Sequence, residues 1–265
     1  MKLNTERRGS GPLLICHPGG PGFDGSELLD LGGLDRTRAL LLLDPRGTER
    51  TGPADSYALD DYVADLEELR ADLALETIDL LGFSHGALVA AAYAIAFPQH
   101  VRKLVLAGGL AALTPEMEEE AKRAIEATSG EPWHAAAVAA LEREEAGEYE
   151  TQEDTARLWN EMLPVYFSTW DERYRPLVEA DRLPPEPLRA FNGSAFDLRP
   201  DLGRIDAETL VVTGRDDFIC GPAAAAPFVE SIPRAELVLI DDAGHFTFLE
   251  QPDAFRDAVE GFLSR

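Results

Sequence analysis

Ser84 stands in Gly82-Phe83-Ser84-His85-Gly86, a serine with a glycine two places to either side. A hydroxyl is a poor nucleophile at neutral pH and needs a base to take its proton. It also needs a backbone that presents it. Thr77 to Leu81 reads as a strand, and the alanine-rich segment after Gly86 reads as a helix that stops before Pro98. A serine at so sharp a strand-to-helix turn is strained, and side chains at its flanks would collide with strand or helix; glycine removes them. The hydroxyl then stands at a helix N-terminus, where the dipole favours negative charge. This arrangement fits nucleophilic acyl transfer.

Five histidines could supply the base. His17 and His85 lie inside glycine turns, His100 follows a helix end, and His134 falls in a polar segment. His245, in Asp241-Asp242-Ala243-Gly244-His245-Phe246, follows the last strand-like run. Loops at the carboxyl ends of parallel strands are where sites form, so His245 is the candidate. An imidazole acting as base is held in one tautomer by a buried acid. Gly214-Arg215-Asp216-Asp217 follows the strand-like Thr209 to Thr213, and either aspartate could serve. The oxyanion needs two N–H donors. His85, the residue after the nucleophile, should give one. The loop His17-Pro18-Gly19-Gly20-Pro21-Gly22 should give the other. Its glycines do not fit a dinucleotide fingerprint. No His, Cys and acid spacing implies a metal, and no cofactor is called for.

These residues require a scaffold. Leu13 to Cys16, Ala39 to Leu43, Thr77 to Leu81, Val101 to Ala107, Thr209 to Thr213 and Leu237 to Ile240 read as buried strands. Asp60 to Ala74, the segment after Gly86, Pro222 to Ile232 and Pro252 to Leu263 read as helices, with Asp60 or Asp61 as the N-cap of the first. That alternation means an α/β fold, a mostly parallel sheet with helices on both faces. From 114 to 200 the pattern changes to acidic amphipathic helices, Glu116 to Thr128 and Ala135 to Glu150, followed by prolines. We expect a core domain of residues 1–113 and 201–265 and a helical lid of residues 114–200.

The 265 residues carry 24 Lys plus Arg against 49 Asp plus Glu, a net charge of −25. Nucleic acid and anionic membranes are therefore excluded as partners, which leaves a small-molecule or short-peptide substrate. The longest apolar run, from Ala87 to Phe97, is too short to span a bilayer. The polar N-terminus lacks a signal peptide's apolar stretch, and two cysteines, Cys16 and Cys220, make no disulfide framework. A cytoplasmic setting is expected. Both cysteines should be small buried residues, although either could lie near the site.

Gly19 to Gly22, Asp44-Pro45-Arg46-Gly47, the Ser84 pentapeptide, Gly214 to Asp217 and Gly244-His245-Phe246 occur in that order. Together they resemble the proline iminopeptidase-like branch of the α/β-hydrolase fold, across nearly the whole chain outside the insertion. The resemblance implies a Ser84, Asp217, His245 triad in the order usual for that fold. It also implies an oxyanion hole from Gly20 and His85, and removal of N-terminal proline or related residues. Three departures stand out. Pro18 occupies the family's histidine position. About twelve residues precede the first clear strand, so most of the family's leading hairpin should be missing. A lid glutamate for the substrate's amino group belongs three residues before the Tyr166-Phe167 pair, where this chain has Leu163. Glu161 is the acid close by. Phe83, Tyr166, Phe167, Trp170 and Phe246 are candidate pocket residues for either a peptide or an ester. The readings that compete are a prolyl aminopeptidase, a carboxylesterase or lactonase, and a ligand receptor without turnover.

Overall fold

The computed structural model describes residues 1–265. Seven strands form one sheet: β1 (Asn4–Gly9), β2 (Leu13–His17), β3 (Ala39–Asp44), β4 (Ile78–Phe83), β5 (Val101–Ala107), β6 (Glu208–Gly214) and β7 (Ala235–Ile240). Their spatial order is β1-β3-β2-β4-β5-β6-β7, parallel except for β1. The α/β-hydrolase architecture expected from sequence is therefore the one found.

Side-chain alternation splits the buried core into two layers. Ile15, Leu41, Leu80 and Leu104 face α1 (Leu59–Asp72), α2 (His85–Ala96) and α8 (Pro222–Ser231). Leu14, Leu42, Leu81 and Val105 face the other way, toward α10 (Pro252–Leu263) and the insertion. The central strands are apolar on both sides because both sides are covered. No helix is long and apolar enough to cross a membrane.

The insertion contains α3 (Pro115–Ala127), α4 (His134–Glu145), α5 (Gln152–Met162), the single turn α6 (Arg175–Val178) and α7 (Pro185–Asn192). A bridge pairs Ala112 with Asp197, and the Leu198 N–H donates to the Ala111 carbonyl at 2.9 Å, so the two ends of this helical segment meet. A last short helix, α9 (Thr247–Glu250), follows His245.

Two helix bounds need correction, and one strand escaped the sequence reading: β1 pairs antiparallel with β3 along its whole length. As a half-exposed edge strand with polar residues on both faces, it had no apolar alternation to reveal it. The N-cap of α1 is Ala58, and Asp60 and Asp61 lie inside the first turn, where they face the positive helix end. The helix expected over Ala135 to Glu150 stops at Glu145, and Gly147 then turns with φ +72°.

Asp44, fully buried at the end of β3, gathers the site's neighbourhood. It accepts from the Gly25 N–H at 3.0 Å, pairs with Arg50 at 2.7 Å and bonds Asn4. Arg46 makes a two-pronged bond to Asp65, at 2.8 and 2.9 Å, which ties the loop after β3 to α1. The Asp44-Pro45-Arg46-Gly47 motif thus acts as a tether.

Candidate active site

Ser84 sits between β4 and α2 with φ +54° and ψ −120°, a conformation that a non-glycine residue adopts at a cost of about 1–3 kcal/mol. Its neighbours explain how that cost is met. A Cβ on Gly82 would strike the Gly86 carbonyl, and one on Gly86 would strike the carbonyls of His17 and Pro18. The Ser84 N–H donates to Ala107 of β5 at 2.9 Å, so the turn is anchored to the next strand.

Of the two aspartates after β6, Asp217 faces the histidine. Its Oδ2 lies 2.8 Å from His245 Nδ1, while Oδ1 accepts from the N–H groups of Ile219 and Cys220 at 3.0 and 2.9 Å. Both side chains are sealed, at 0% exposure for Asp217 and 3% for His245. Asp216 turns outward and accepts from Ser168 Oγ at 2.6 Å. Gly108, after β5, leaves room for the pair: a Cβ there would lie 3.4 Å from the His245 ring.

The His245 loop is held by the insertion. Its own N–H donates to the Tyr166 carbonyl at 2.7 Å. Glu250 accepts from Gly244 N–H at 2.7 Å and from Ser168 N–H at 2.8 Å, one bond to each side of the junction. Burial pushes the Glu250 carboxyl up to about 7, against the pull of those backbone donors.

Ser84 and His245 open into one cavity of about 90 Å³, which Gly20, Pro21 and Phe23 line from the core. Trp159, Met162 and Leu188 close it from the insertion. Gly20 has φ +100°, and a Cβ there would meet the Gly22 nitrogen at 2.7 Å. As the first residue of α2, His85 has an N–H without a partner inside the helix. Its ring points elsewhere, against Tyr62 and Phe191, and burial holds it down to about 3, so it is neutral.

The expected pocket residues divide. Tyr166 lines the cavity, and its ring packs 5.5 Å from His245. Phe83 and Phe246 are buried behind it, 4.8 and 5.7 Å from the His245 ring, as core. Phe167 stacks on Tyr174, and Trp170 packs on Phe167; both face a different hollow. Glu161 is 3.5 Å from Arg143, half exposed, outside the cavity. Its helical position turns it to the outer face. Cys16 and Cys220 are buried and unpaired, and neither lines the cavity.

Two acids that no motif singled out do line it: Glu27 from the turn after the glycine loop, and Glu144 near the end of α4. Burial raises both. Glu144 accepts from Asn192 at 2.6 Å. The clue available in sequence for Glu27 was an acid next to Leu28-Leu29, just after the glycine loop; Glu144 lies in a run of acids and had none.

Residues 12–252 match the alpha/beta hydrolase fold family. The chain is 26% identical to the proline iminopeptidase PfmaB of Pestalotiopsis fici, over 96% of this chain and 92% of that one. It is 28% identical to a 2-hydroxy-6-oxononadienedioate/2-hydroxy-6-oxononatrienedioate hydrolase of Klebsiella pneumoniae, over 100% and 91%. A solved hydrolase from Pseudomonas aeruginosa superimposes with a TM-score of 0.73 at 26% identity, covering 99% of this chain and 94% of the other.

Proposed function

We propose that this chain, which belongs to the alpha/beta hydrolase fold family, is a serine hydrolase that removes a small N-terminal residue, proline above all, from peptides or amides. In this reading Ser84 Oγ attacks the scissile carbonyl and His245 takes the proton. Asp217 holds the imidazole by its Nδ1–H. The N–H groups of Gly20 and His85 receive the oxyanion. His245 then protonates the leaving amine as the C–N bond breaks. Water cleaves the acyl-enzyme by the same relay, and Ser84 regains its proton.

One observation carries the substrate assignment. The cavity that Ser84 and His245 share is small and largely apolar, yet Glu144 reaches into it from the insertion. A compact ring fills such a space, and a free amino group would give the half-buried Glu144 carboxylate a charged partner beside the Asn192 amide it already holds. Glu144 thus takes the role that Leu163 cannot and that Glu161 is placed too far away to fill. The relatives named as proline iminopeptidases support the same reading. Two buried free thiols, Cys16 and Cys220, fit a reducing, cytoplasmic setting.

The apolar share of the lining favours a second reading, a carboxylesterase or lactonase with the same relay. Proline p-nitroanilide, its N-acetyl derivative and p-nitrophenyl butyrate separate the two. The aminopeptidase reading predicts cleavage of the free prolyl amide and little of the blocked one. Cleavage of the butyrate alone would replace it with the esterase reading.

A further inference from the structure

The acyl-transfer scheme leaves Glu27 without a task, although its carboxyl lies in the same cavity as Ser84 and His245. It sits on a 3-10 turn, Gly25–Leu28, that cannot drift. Asp24 caps the turn by accepting from Ser26 N–H at 2.8 Å, and Asp44 of β3 holds its Gly25 N–H. A Cβ on Gly25 would meet the Leu42 side chain at 2.8 Å, so the turn rests directly on the sheet. From this platform Glu27 Oε2 accepts from the Gly19 N–H at 2.7 Å. Gly19 is wedged in place: a Cβ there would be 3.0 Å from Ser84 Cβ and 3.2 and 3.3 Å from the two Glu27 oxygens.

We propose that Glu27 is a positioning residue for the oxyanion loop, fixing the Gly19 amide and through it the Gly20 N–H beside Ser84. The inference rests on the serine-hydrolase reading above. The loop needs such a tether. Gly19, Gly20 and Gly22 give it no side chains to lock it, and Gly20 and Gly22 hold φ of +100° and +112°. A glycine loop left free loses much entropy when it must line up a donor in the transition state. Fixing it beforehand transfers that loss to folding.

The acid's surroundings explain why it can sit so near a developing negative charge. Burial pushes Glu27 up to about 8, Asp24 on its own turn adds to the rise, and the Gly19 N–H opposes it. Across the cavity it meets Glu144 and Tyr166 of the insertion and His245 of the core. At neutral pH it holds a proton and still offers an acceptor oxygen. An amide of the same shape should therefore replace it.

The test follows the second-order rate at which a fluorophosphonate labels Ser84 at pH 7. In that step Ser84 Oγ bonds to phosphorus, fluoride leaves, and the serine proton passes to His245. The phosphonyl oxygen occupies the oxyanion site, and no amino group takes part. Glu27→Gln should label within about threefold of wild type, and Glu27→Met, of like volume but without an acceptor, about tenfold or more slowly. On p-nitrophenyl butyrate the Met variant should lose kcat with KM little changed. Should Glu27→Met fail to fold, Glu27→Asp withdraws the acceptor by one methylene and carries the same expectation. Equal labelling of the Met and Gln variants overturns the proposal, and so does a Gln variant as slow as Met. Normal labelling in both variants with a raised KM only for the free prolyl amide would instead make Glu27 a substrate-binding group. A wild type that is not labelled at all sinks the nucleophile assignment itself, a different result from any of these.

Discussion

The core and the insertion build opposite walls of one cavity by different means. On the core side every chemical group sits on a turn at the end of a parallel strand: Gly20 after β2, Ser84 after β4, Asp217 after β6 and His245 after β7. Backbone strain and steric exclusion hold these groups, as the carbonyls crowding Gly82 and Gly86 illustrate. On the insertion side the wall is packed side chains of α4, α5 and α7, such as Glu144, Trp159 and Leu188, with no strained backbone among them. Strain fixes geometry to fractions of an ångström, which a reaction needs. Packing tolerates exchange of one side chain for another, which suits a wall that selects a substrate. Changes on the core side should therefore act on kcat, and changes on the insertion side on KM.

The largest effects test the core. Ser84→Ala and Asp217→Asn should each lower kcat by about 10⁴-fold with KM and melting temperature nearly unchanged, as steady-state kinetics and calorimetry would register. A modest loss for Asp217→Asn alongside a severe one for Asp216→Asn would transfer the acid's role to the outward-facing residue. Gly20→Ala should cost about 10²-fold in kcat, because its Cβ has no room at φ +100° and the loop must shift. A loss confined to KM would show that the loop only binds.

The insertion predicts the opposite pattern. Glu144→Gln should raise KM for proline p-nitroanilide about tenfold and leave p-nitrophenyl butyrate unchanged. Glu161→Gln should change neither by more than about twofold, since its exposed pair with Arg143 is worth little. Equal losses on both substrates for Glu144→Gln would remove the contrast between the two walls.

The smallest effect concerns their joint. Glu250 binds the Gly244 and Ser168 N–H groups, and its carboxyl is raised to about 7 from an ordinary value near 4.5. The folded protein thus holds this proton more tightly than the unfolded chain. The associated stability is fully present below about pH 4.5 and is lost as pH rises through 7. Glu250→Gln should flatten the fall in Tm between pH 5 and 8 by roughly 4 °C, whatever its effect on the Tm itself. An unchanged slope in a thermal melt series would show that Glu250 is ionised throughout.

The same division explains what could be read from sequence. Gly82 is forced by its own turn, and Gly86 and Gly214 by the His17-Pro18 and Ala243-Gly244 backbones of neighbouring loops; each must be glycine, so the Ser84 and Asp217 turns carry their signature within five residues. The buried strands showed themselves as apolar runs. β1 did not, because its backbone pairs with β3 while its side chains stay polar on both faces. In the insertion, nearness in sequence to Tyr166-Phe167 pointed to Glu161, but helix phase decides which acid faces inward, and that acid is Glu144, on a different helix. Phe83, Phe246, Phe167 and Trp170 are apolar enough for any pocket, and only packing assigns them to the core or to other hollows. Glu27 lay in plain view, yet its partner is a backbone N–H, which no side-chain pattern announces.

The central claim is that Ser84 carries the acyl group. Wild type and Ser84→Ala should be mixed rapidly with p-nitrophenyl butyrate, quenched in acid and mapped by peptide mass. The account predicts a burst of p-nitrophenol and a butyryl mass on the peptide containing Ser84, with neither in the variant. Turnover in Ser84→Ala near the wild-type rate, or an acyl group on another residue, would contradict it.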